Sequence, residues 1–190
     1  MQKSKEQKNN PIFTIPNILT TCRIFLIPAF VWFYSFQKEE HIAFGILVLS
    51  GMTDMLDGFI ARRFHMISSL GKALDPVADK LTQAAVLICL GSRHPLLFML
   101  FGILVVKEII TGCMSLLAIQ KTSQVKGADW HGKVTTVFLY ITMLIHLIWE
   151  TIPLAISIAM IGLSAFMMVV SFVMYFGRNI SLLKKQEESV

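Results

Sequence analysis

The sequence predicts an all-α, polytopic membrane protein with six transmembrane helices. Three observations support this fold class. The chain of 190 residues is 55% hydrophobic. Only 15% of its residues are charged, against about 25% in a typical soluble domain. Its apolar segments are long enough to cross a bilayer as helices, and short polar stretches separate them. We expect residues 1–190 to form a single domain.

The charge balance and the cysteines exclude some classes of function. The formal net charge is +5, and in a membrane protein such an excess sets topology and attracts anionic lipid. We therefore expect the lipid bilayer as a partner and no nucleic acid. Cys22, Cys89 and Cys113 fall in apolar segments without metal-ligand spacing, so we interpret them as buried thiols, neither disulfides nor ligands.

The first predicted span covers residues 18–36 and follows a polar or interfacial N-terminal segment, residues 1–15. Pro16 and Asn17 stand at its entrance, where a proline and a capping side chain are expected. Arg23 lies inside this span. It either extends to the lipid headgroups or faces a polar site, and the sequence leaves both alternatives open.

The second and third predicted spans enclose the most polar part of the membrane region. The second covers residues 41–62 after a turn at 37–40, residues 63–70 form a loop, and the third ends near residue 90. It begins either near Gly71 or with Asp75 as its cap. Pro76 is then compatible with the helix, because N–H groups in a first turn have no helical partner.

The remaining predicted spans cover residues 96–119, 133–149 and 153–176. They follow a turn at 92–95, a polar stretch at 121–132 and a short break before Pro153, and residues 177–190 form a polar tail. Lys107 and Glu108 are adjacent in the fourth span. Because adjacent helical residues do not face each other, we expect no local ion pair between them. They are either functional charges or partners of another helix.

The distribution of basic residues predicts the orientation. Most Lys and Arg residues lie in the two termini and in the loops at 62–72 and 121–133, whereas the opposite loops hold Lys38 and Arg93. By the positive-inside rule, both termini face the cytoplasm. The region around the loop at 62–72, where we expect the active site, is then on the cytoplasmic side.

Four aspartates concentrate in the stretch from Asp54 to Asp79, which we call the acidic stretch. Asp54 and Asp57 are three residues apart, and Asp75 and Asp79 are four apart, so each pair lies on one face of its helix. Two antiparallel helices can point all four carboxylates at one place. Grouped carboxylates stay ionised only around a cation, and oxygen ligands favour Mg²⁺, Mn²⁺ or Ca²⁺. Four carboxylates can hold two divalent ions, an arrangement suited to phosphoryl displacement.

Small side chains and an arginine accompany these carboxylates. Gly58 and Ala61 share the helical face of Asp54 and Asp57, with the i, i+3, i+4, i+7 spacing. Such a face admits a ligand close to the backbone. Arg62 supplies a planar cation that can bind two phosphate oxygens at once.

The full spacing, D-x2-D-G-x2-A-R-x8-G-x3-D-x3-D, resembles the signature of the CDP-alcohol phosphotransferase family, integral membrane enzymes of lipid synthesis. The resemblance is close over these 26 residues and loose over the rest of the chain. It implies two divalent cations, Mg²⁺ or Mn²⁺, and CDP-diacylglycerol as a substrate. A homodimer is among the states it allows. The implied metal ligands are Asp54, Asp57, Asp75 and Asp79, and Asp79 is also the implied general base. The implied CDP-binding positions are Asp57, Gly58, Ala61, Arg62 and Gly71.

The acceptor alcohol is less closely defined. PNILTTCRIFLIP resembles the first helix of phosphatidylglycerophosphate synthases and of related cardiolipin synthases. HGKVTT resembles the G-K-x-K-T motif of the former, except that Thr135 replaces the second lysine, and cardiolipin synthases often have a neutral residue there. We favour glycerol 3-phosphate as the acceptor, with Lys107, Lys133 and Arg178 as candidates for binding its phosphate.

Three alternative functions stay open at this point. They are a cardiolipin synthase that uses phosphatidylglycerol, another CDP-alcohol phosphotransferase, and an intramembrane cation transporter. Intramembrane aspartates also build cation pathways, but a transporter does not explain why Gly58, Ala61, Arg62 and Gly71 accompany them.

Overall fold

The described part of the chain is helical throughout. The computed structural model describes residues 15–63, 69–122 and 130–187. They form six α-helices and one short π-helix: α1 Ile15–Val31, the π-helix Trp32–Gln37, α2 Glu40–Arg63, α3 Ser69–Gly91, α4 Leu97–Thr122, α5 Trp130–Ile148 and α6 Leu154–Glu187. The all-α prediction is therefore confirmed. The predicted interfacial element before α1 lies outside the described residues.

Three of these helical regions are long and apolar enough to cross a membrane: Asn17–Gln37, Leu97–Met114 and Leu154–Arg178. A shorter apolar segment covers Gly132–Ile148. Helices α2 and α3 contain the acidic stretch, which lowers their mean hydropathy. The structure supports an integral membrane protein, and six transmembrane crossings stay a prediction.

The chain forms two compact units, residues 1–85 and 86–190, and the boundary falls within α3. In the first unit, α1 packs along α2. Phe30 and Tyr34 of the first helical region and Ala43 and Leu47 of α2 are buried. Lys38 ends the π-helix in the left-handed conformation, with φ of 57°, and so allows the tight reversal into α2.

In the second unit, α6 packs against both α4 and α5. Its core is apolar, with Leu100, Leu104, Leu139, Met143 and Met168 among the buried side chains. Many large apolar side chains remain exposed on the outer faces of α4 and α6, including Phe98, Val106 and Phe166. This pattern suits helices whose outer surfaces meet lipid rather than water.

The structure corrects several predicted details of the helices. Helix α3 begins at Ser69, so Asp75 is not its cap and Pro76 lies beyond its first turn. The first-turn explanation for Pro76 was wrong, and the helix continues through the proline with one N–H fewer. Helix α6 continues to Glu187, because the tail holds strong helix formers and no proline.

Two smaller predictions also change. Asn17 is the third residue of α1 and is buried, so it is not the residue that begins the helix. Cys22 and Cys113 are exposed and only Cys89 is buried, although all three are free thiols. An apolar segment did not imply burial within the protein, because the outer face of a membrane helix is apolar too.

Candidate functional site

Helix α1 presents a polar face toward the acidic stretch. Asn17, Thr20 and Arg23 recur at a spacing of three residues and are buried, and we call them the α1 polar face. Their spacing puts them on one side of the helix. On α2, Ala43, Leu47 and Ser50 form a buried row, and Asp54 continues it one turn further on.

Arg23 forms an ion pair with Asp54. The Arg23 Nη1 atom lies 2.8 Å from Asp54 Oδ1, and the two side chains are 1% and 49% exposed. The guanidinium is therefore enclosed by protein, whereas half of the carboxylate surface stays accessible. Of the two alternatives for Arg23, the structure supports the cation that faces the polar site. Extension of this side chain to the headgroups is excluded by its burial.

Thr20 makes a second contact between α1 and the acidic stretch. Its hydroxyl donates a hydrogen bond to Asp75 Oδ1 on α3. Thr21, the next residue, instead donates to the Asn17 carbonyl within α1 at 2.8 Å. Helix α1 thus bonds one aspartate on α2 and one on α3. Thr20 was not among the predicted site residues. The three-residue spacing of Asn17, Thr20 and Arg23 in an apolar helix was the available signal.

Asp79 receives a hydrogen bond from its own helix. Gln83 Nε2 donates to Asp79 Oδ2 at 3.0 Å, across the four-residue spacing at which helical side chains meet. Asp75 and Asp79 lie near enough to Asp54 for their negative charges to repel it. Asp54, Asp75 and Asp79 thus belong to one negatively charged region of the first unit, and their convergence on a metal stays a prediction.

The other predicted positions can be placed only on their helices. Asp57, Gly58, Ala61 and Arg62 belong to α2 and Gly71 belongs to α3, and their side chains lie outside the description. Among the described residues, no three His, Cys, Asp or Glu side chains form a group that could hold a metal ion. Asp57, the fourth predicted ligand, is not among those residues. The described side chains that could bind a metal here are carboxylates, and carboxylate oxygens suit hard divalent cations.

Two of the cations predicted to bind the acceptor phosphate, Lys133 and Arg178, lie near a contact between the start of α5 and the C-terminal half of α6. The Arg178 guanidinium carbon is 4.9 Å from the centre of the Tyr175 ring, within the range of a cation–π contact. Tyr175 in turn lies against Gly132. A Cβ atom at position 132 would be 2.5 Å from the Tyr175 hydroxyl oxygen. Lys133 follows Gly132 directly and is exposed.

Lys107 has different surroundings. Its ammonium lies 3.1 Å from Glu108 Oε1, so the prediction of no local ion pair was wrong. The long lysine side chain bends around the helix and reaches its neighbour, although the two Cβ atoms point apart. Lys107 also lines a groove of about 410 Å³ between α4 and α6, whose other lining residues, Met168 and Phe172 among them, are apolar or glycine. These surroundings do not favour Lys107 as a phosphate ligand.

Thr135, which replaces a lysine of the resembled motif, faces α6. It is buried, and its hydroxyl donates to the Met167 carbonyl at 3.1 Å. A lysine at this position would have to place its charge within the contact between α5 and α6. The structure thus accounts for a small neutral residue here.

Two histidines, His94 and His146, lie where the end of α5 meets the start of α6 and the turn before α4. His146 Nδ1 lies 2.8 Å from the Thr142 carbonyl, which can only accept, so Nδ1 carries the proton. His146 Nε2 then accepts a hydrogen bond from the Ser157 hydroxyl at 2.8 Å. His94, in the turn before α4, meets His146 edge to face with 5.2 Å between ring centres. Desolvation lowers the pKa of His94 below its usual value, and His146 and Arg93 lower it further.

Comparison with known proteins decides the family. A model of the CDP-alcohol phosphatidyltransferase family matches residues 13–177. The chain belongs to this family. The match includes the acidic stretch and both residues of α1 that bond it.

Several relatives are similar to this CDP-alcohol phosphatidyltransferase. A Bacillus subtilis protein named CDP-diacylglycerol–glycerol-3-phosphate 3-phosphatidyltransferase is 31% identical over 192 aligned positions, which cover 91% of this chain and 98% of the relative. A Streptomyces coelicolor cardiolipin synthase (CMP-forming) is 37% identical over 113 positions, covering 57% of this chain. The chain spans only about half of that relative, 52%. The human cardiolipin synthase is 48% identical over 73 positions, or 38% of this chain and 24% of the relative.

Proposed function

We propose that this protein transfers the phosphatidyl group of CDP-diacylglycerol to glycerol 3-phosphate and releases CMP. The observation that carries the proposal is the similarity to the Bacillus subtilis glycerol-3-phosphate phosphatidyltransferase along 98% of that protein. The similarities to cardiolipin synthases cover shorter parts of this chain. The nearness of the Asp75 and Asp79 charges to Asp54 in the first unit supports the same reaction class.

The reaction exchanges one phosphorus–oxygen bond for another. The free primary hydroxyl of glycerol 3-phosphate attacks the lipid-side phosphorus of the CDP-diacylglycerol pyrophosphate. The bond from that phosphorus to the bridging oxygen breaks, and the bridging oxygen leaves with CMP. The hydroxyl proton passes to a base on the protein. Enzymes catalyse such displacements mainly by positioning the reactants and by neutralising charge.

We assign the base to Asp79. Gln83 donates to one of its oxygens and thereby orients the carboxylate on α3. Asp54, Asp57, Asp75 and Asp79 would together hold two Mg²⁺ or Mn²⁺ ions. When bound, these ions supply charge that stabilises the attacking and leaving oxygens. Gly58, Ala61, Arg62 and Gly71 would bind the CDP group, with Arg62 paired to its phosphate oxygens.

The phosphate of the acceptor carries negative charge, so side-chain cations are suited to binding it. Arg178 and Lys133 are the candidates we retain, since both lie at the same ends of α5 and α6, where Tyr175 contacts Gly132. Charge-assisted hydrogen bonds from such groups contribute about 1.5–3 kcal/mol each. We place this end on the cytoplasmic side, where a soluble substrate arrives, with six helices crossing the membrane.

Cardiolipin synthesis is the second candidate function. Its support is the local identity to cardiolipin synthases, 48% with the human protein, together with Thr135 at a position where phosphatidylglycerophosphate synthases have lysine. In that case phosphatidylglycerol, a lipid, would be the acceptor, and Lys133 would meet a singly charged phosphodiester in place of the phosphate monoester of glycerol 3-phosphate.

A competition assay distinguishes the two functions. Purified protein in detergent micelles receives CDP-diacylglycerol with equal concentrations of glycerol 3-phosphate and phosphatidylglycerol, and mass spectrometry identifies the lipid products. We expect phosphatidylglycerophosphate as the main product. Predominant formation of cardiolipin would replace the first proposal with the second. Release of CMP with phosphatidic acid as the lipid product would mean that water is the acceptor in the assay, and would contradict both proposals.

A further inference from the structure

We propose that Thr20 and Arg23 of α1 are positioning residues that fix the Asp75 and Asp54 carboxylates for metal binding. The inference rests on the proposed function, because it assigns a task to α1 within the same acidic site. Neither residue belongs to the acidic stretch, and neither is a metal ligand in this account. Each acts through the aspartate that it bonds.

The two contacts join three helices at one place. Asp54 belongs to α2 and Asp75 to α3, and α1 bonds both through residues three positions apart. The rise of an α-helix is about 1.5 Å per residue, so the two donors are separated by a fixed distance of about 4.5 Å along α1. A rigid helix that holds both carboxylates thereby sets the distance between them.

Arg23 and Thr20 are chemically suited to holding a carboxylate in one orientation. The planar guanidinium of Arg23 restrains the rotation of a carboxylate better than an ammonium group does. Thr20 is β-branched, so its hydroxyl has few available rotamers within a helix. Both side chains are almost completely buried, with Arg23 1% and Thr20 0% exposed. Both contacts use Oδ1 of the aspartate, and a carboxylate has a second oxygen with which to bind a cation.

A purely structural role would predict something different. A buried arginine could simply neutralise Asp54, in which case any cation at position 23 would suffice. The half-exposed Asp54 side chain argues for the positioning role, because a carboxylate needed only for stability would be enclosed with its partner. Residues that orient metal ligands typically contribute about ten- to a hundredfold in metal affinity or activity.

The test measures Mn²⁺ binding to purified protein by electron paramagnetic resonance, without substrate. Thr20→Val removes the hydroxyl without changing charge, and Thr20→Ser keeps it. Thr21→Val is the matched control, since among the described residues Thr21 bonds the Asn17 carbonyl of its own helix. We expect Thr20→Val to raise the Kd for Mn²⁺ by about tenfold or more, while Thr20→Ser and Thr21→Val leave it within about twofold of the wild-type value.

The arginine has its own pair of variants. Arg23→Lys keeps the charge and loses the planar geometry, and we expect it to raise the Kd for Mn²⁺ by about tenfold as well. Arg93→Lys is the control, because Arg93 pairs with Glu150 at 3.8 Å in the second unit. Melting temperatures of the metal-free proteins show which variants remain folded.

The possible outcomes separate this inference from the proposed function. If the wild-type protein binds Mn²⁺ and folded Thr20→Val and Arg23→Lys variants bind it equally well, the positioning role is refuted and the metal site stands. If only the melting temperatures fall, the contacts are structural. If the wild-type protein does not bind Mn²⁺ at all, the metal site of the proposed function is refuted, and the inference with it.

Discussion

The contact between Gly132 and Tyr175 allows a direct test of the acceptor site. The variant Gly132→Ala adds one methyl group where α5 approaches α6. That Cβ would lie 2.5 Å from the Tyr175 hydroxyl oxygen, with ring carbons at 3.2 and 3.3 Å. Real Cβ contacts do not become so short, so the tyrosine ring has to move. Arg178 rests on that ring and must move with it.

The magnitude follows from these distances. A normal van der Waals contact is about 1 Å longer than the 2.5 Å separation, so the hydroxyl retreats by about that distance. Overpacking of this kind costs about 1–3 kcal/mol of stability. A displaced Arg178 loses a cation–π contact and its alignment with the acceptor phosphate, together about 1–2 kcal/mol. We therefore expect the KM for glycerol 3-phosphate to rise about five- to thirtyfold.

Steady-state kinetics with each substrate varied in turn provide the assay. The KM for CDP-diacylglycerol should change by less than about twofold, since we propose that this substrate binds at the acidic stretch. Gly162→Ala is the control, because a Cβ there has nothing within 4 Å, and the added methyl group should leave both KM values unchanged. Tyr175→Phe removes the most crowded atom, so Gly132→Ala combined with Tyr175→Phe should recover much of the affinity. Equal increases in both KM values would show that the contact serves the fold alone.

Three further predictions concern the rest of the molecule. Asp75→Asn should lower kcat by about a hundredfold or more in a CMP-release assay, as loss of a charge-stabilising group does, while the melting temperature stays unchanged. Near-normal turnover would contradict a shared metal site. Thr135→Lys should destabilise the protein by about 1–3 kcal/mol and lower its melting temperature, because this buried side chain bonds the α6 backbone. A stable variant that binds glycerol 3-phosphate more tightly would show that position 135 opens into the acceptor site. The melting temperature should fall as pH decreases below about 6.5. The lowered pKa of His94 means that the unfolded chain binds the proton more strongly than the folded protein does. His94→Gln should reduce this dependence on pH, and an unchanged dependence would assign it to His146, Glu150 or other groups.

The all-helical class could be predicted from the sequence, and the candidate carboxylates could be selected from it, because both signals are local. A helical spacing puts Asp75 and Asp79 on one face, and apolar segment length indicates membrane helices. The contacts of α1 were harder to predict. Arg23 and Thr20 contact residues 31 and 55 positions away, and no local pattern selects which aspartate each one meets.

Other details depended on side-chain reach and helix continuity. The pairing of Lys107 with Glu108 uses the flexibility of a four-carbon side chain, which a rule about Cβ directions does not capture. Helix α3 begins at Ser69 and continues through Pro76. The proline had suggested a start at Asp75 as one of two alternatives, but a proline alone does not fix where a helix begins. The role of Gly132 was not predictable from its neighbours, since the side chain that requires it, Tyr175, is on another helix.

The most direct test of the account follows one oxygen atom through the reaction. Purified protein is treated with EDTA and given CDP-diacylglycerol with glycerol 3-phosphate whose free primary hydroxyl carries ¹⁸O. Mn²⁺ is then added, and mass spectrometry examines both lipid and nucleotide. The account predicts no product before the addition. After it, ¹⁸O-labelled phosphatidylglycerophosphate and unlabelled CMP should form in equal amounts. Equal turnover without the metal, label in CMP, or lipid product without label would contradict it.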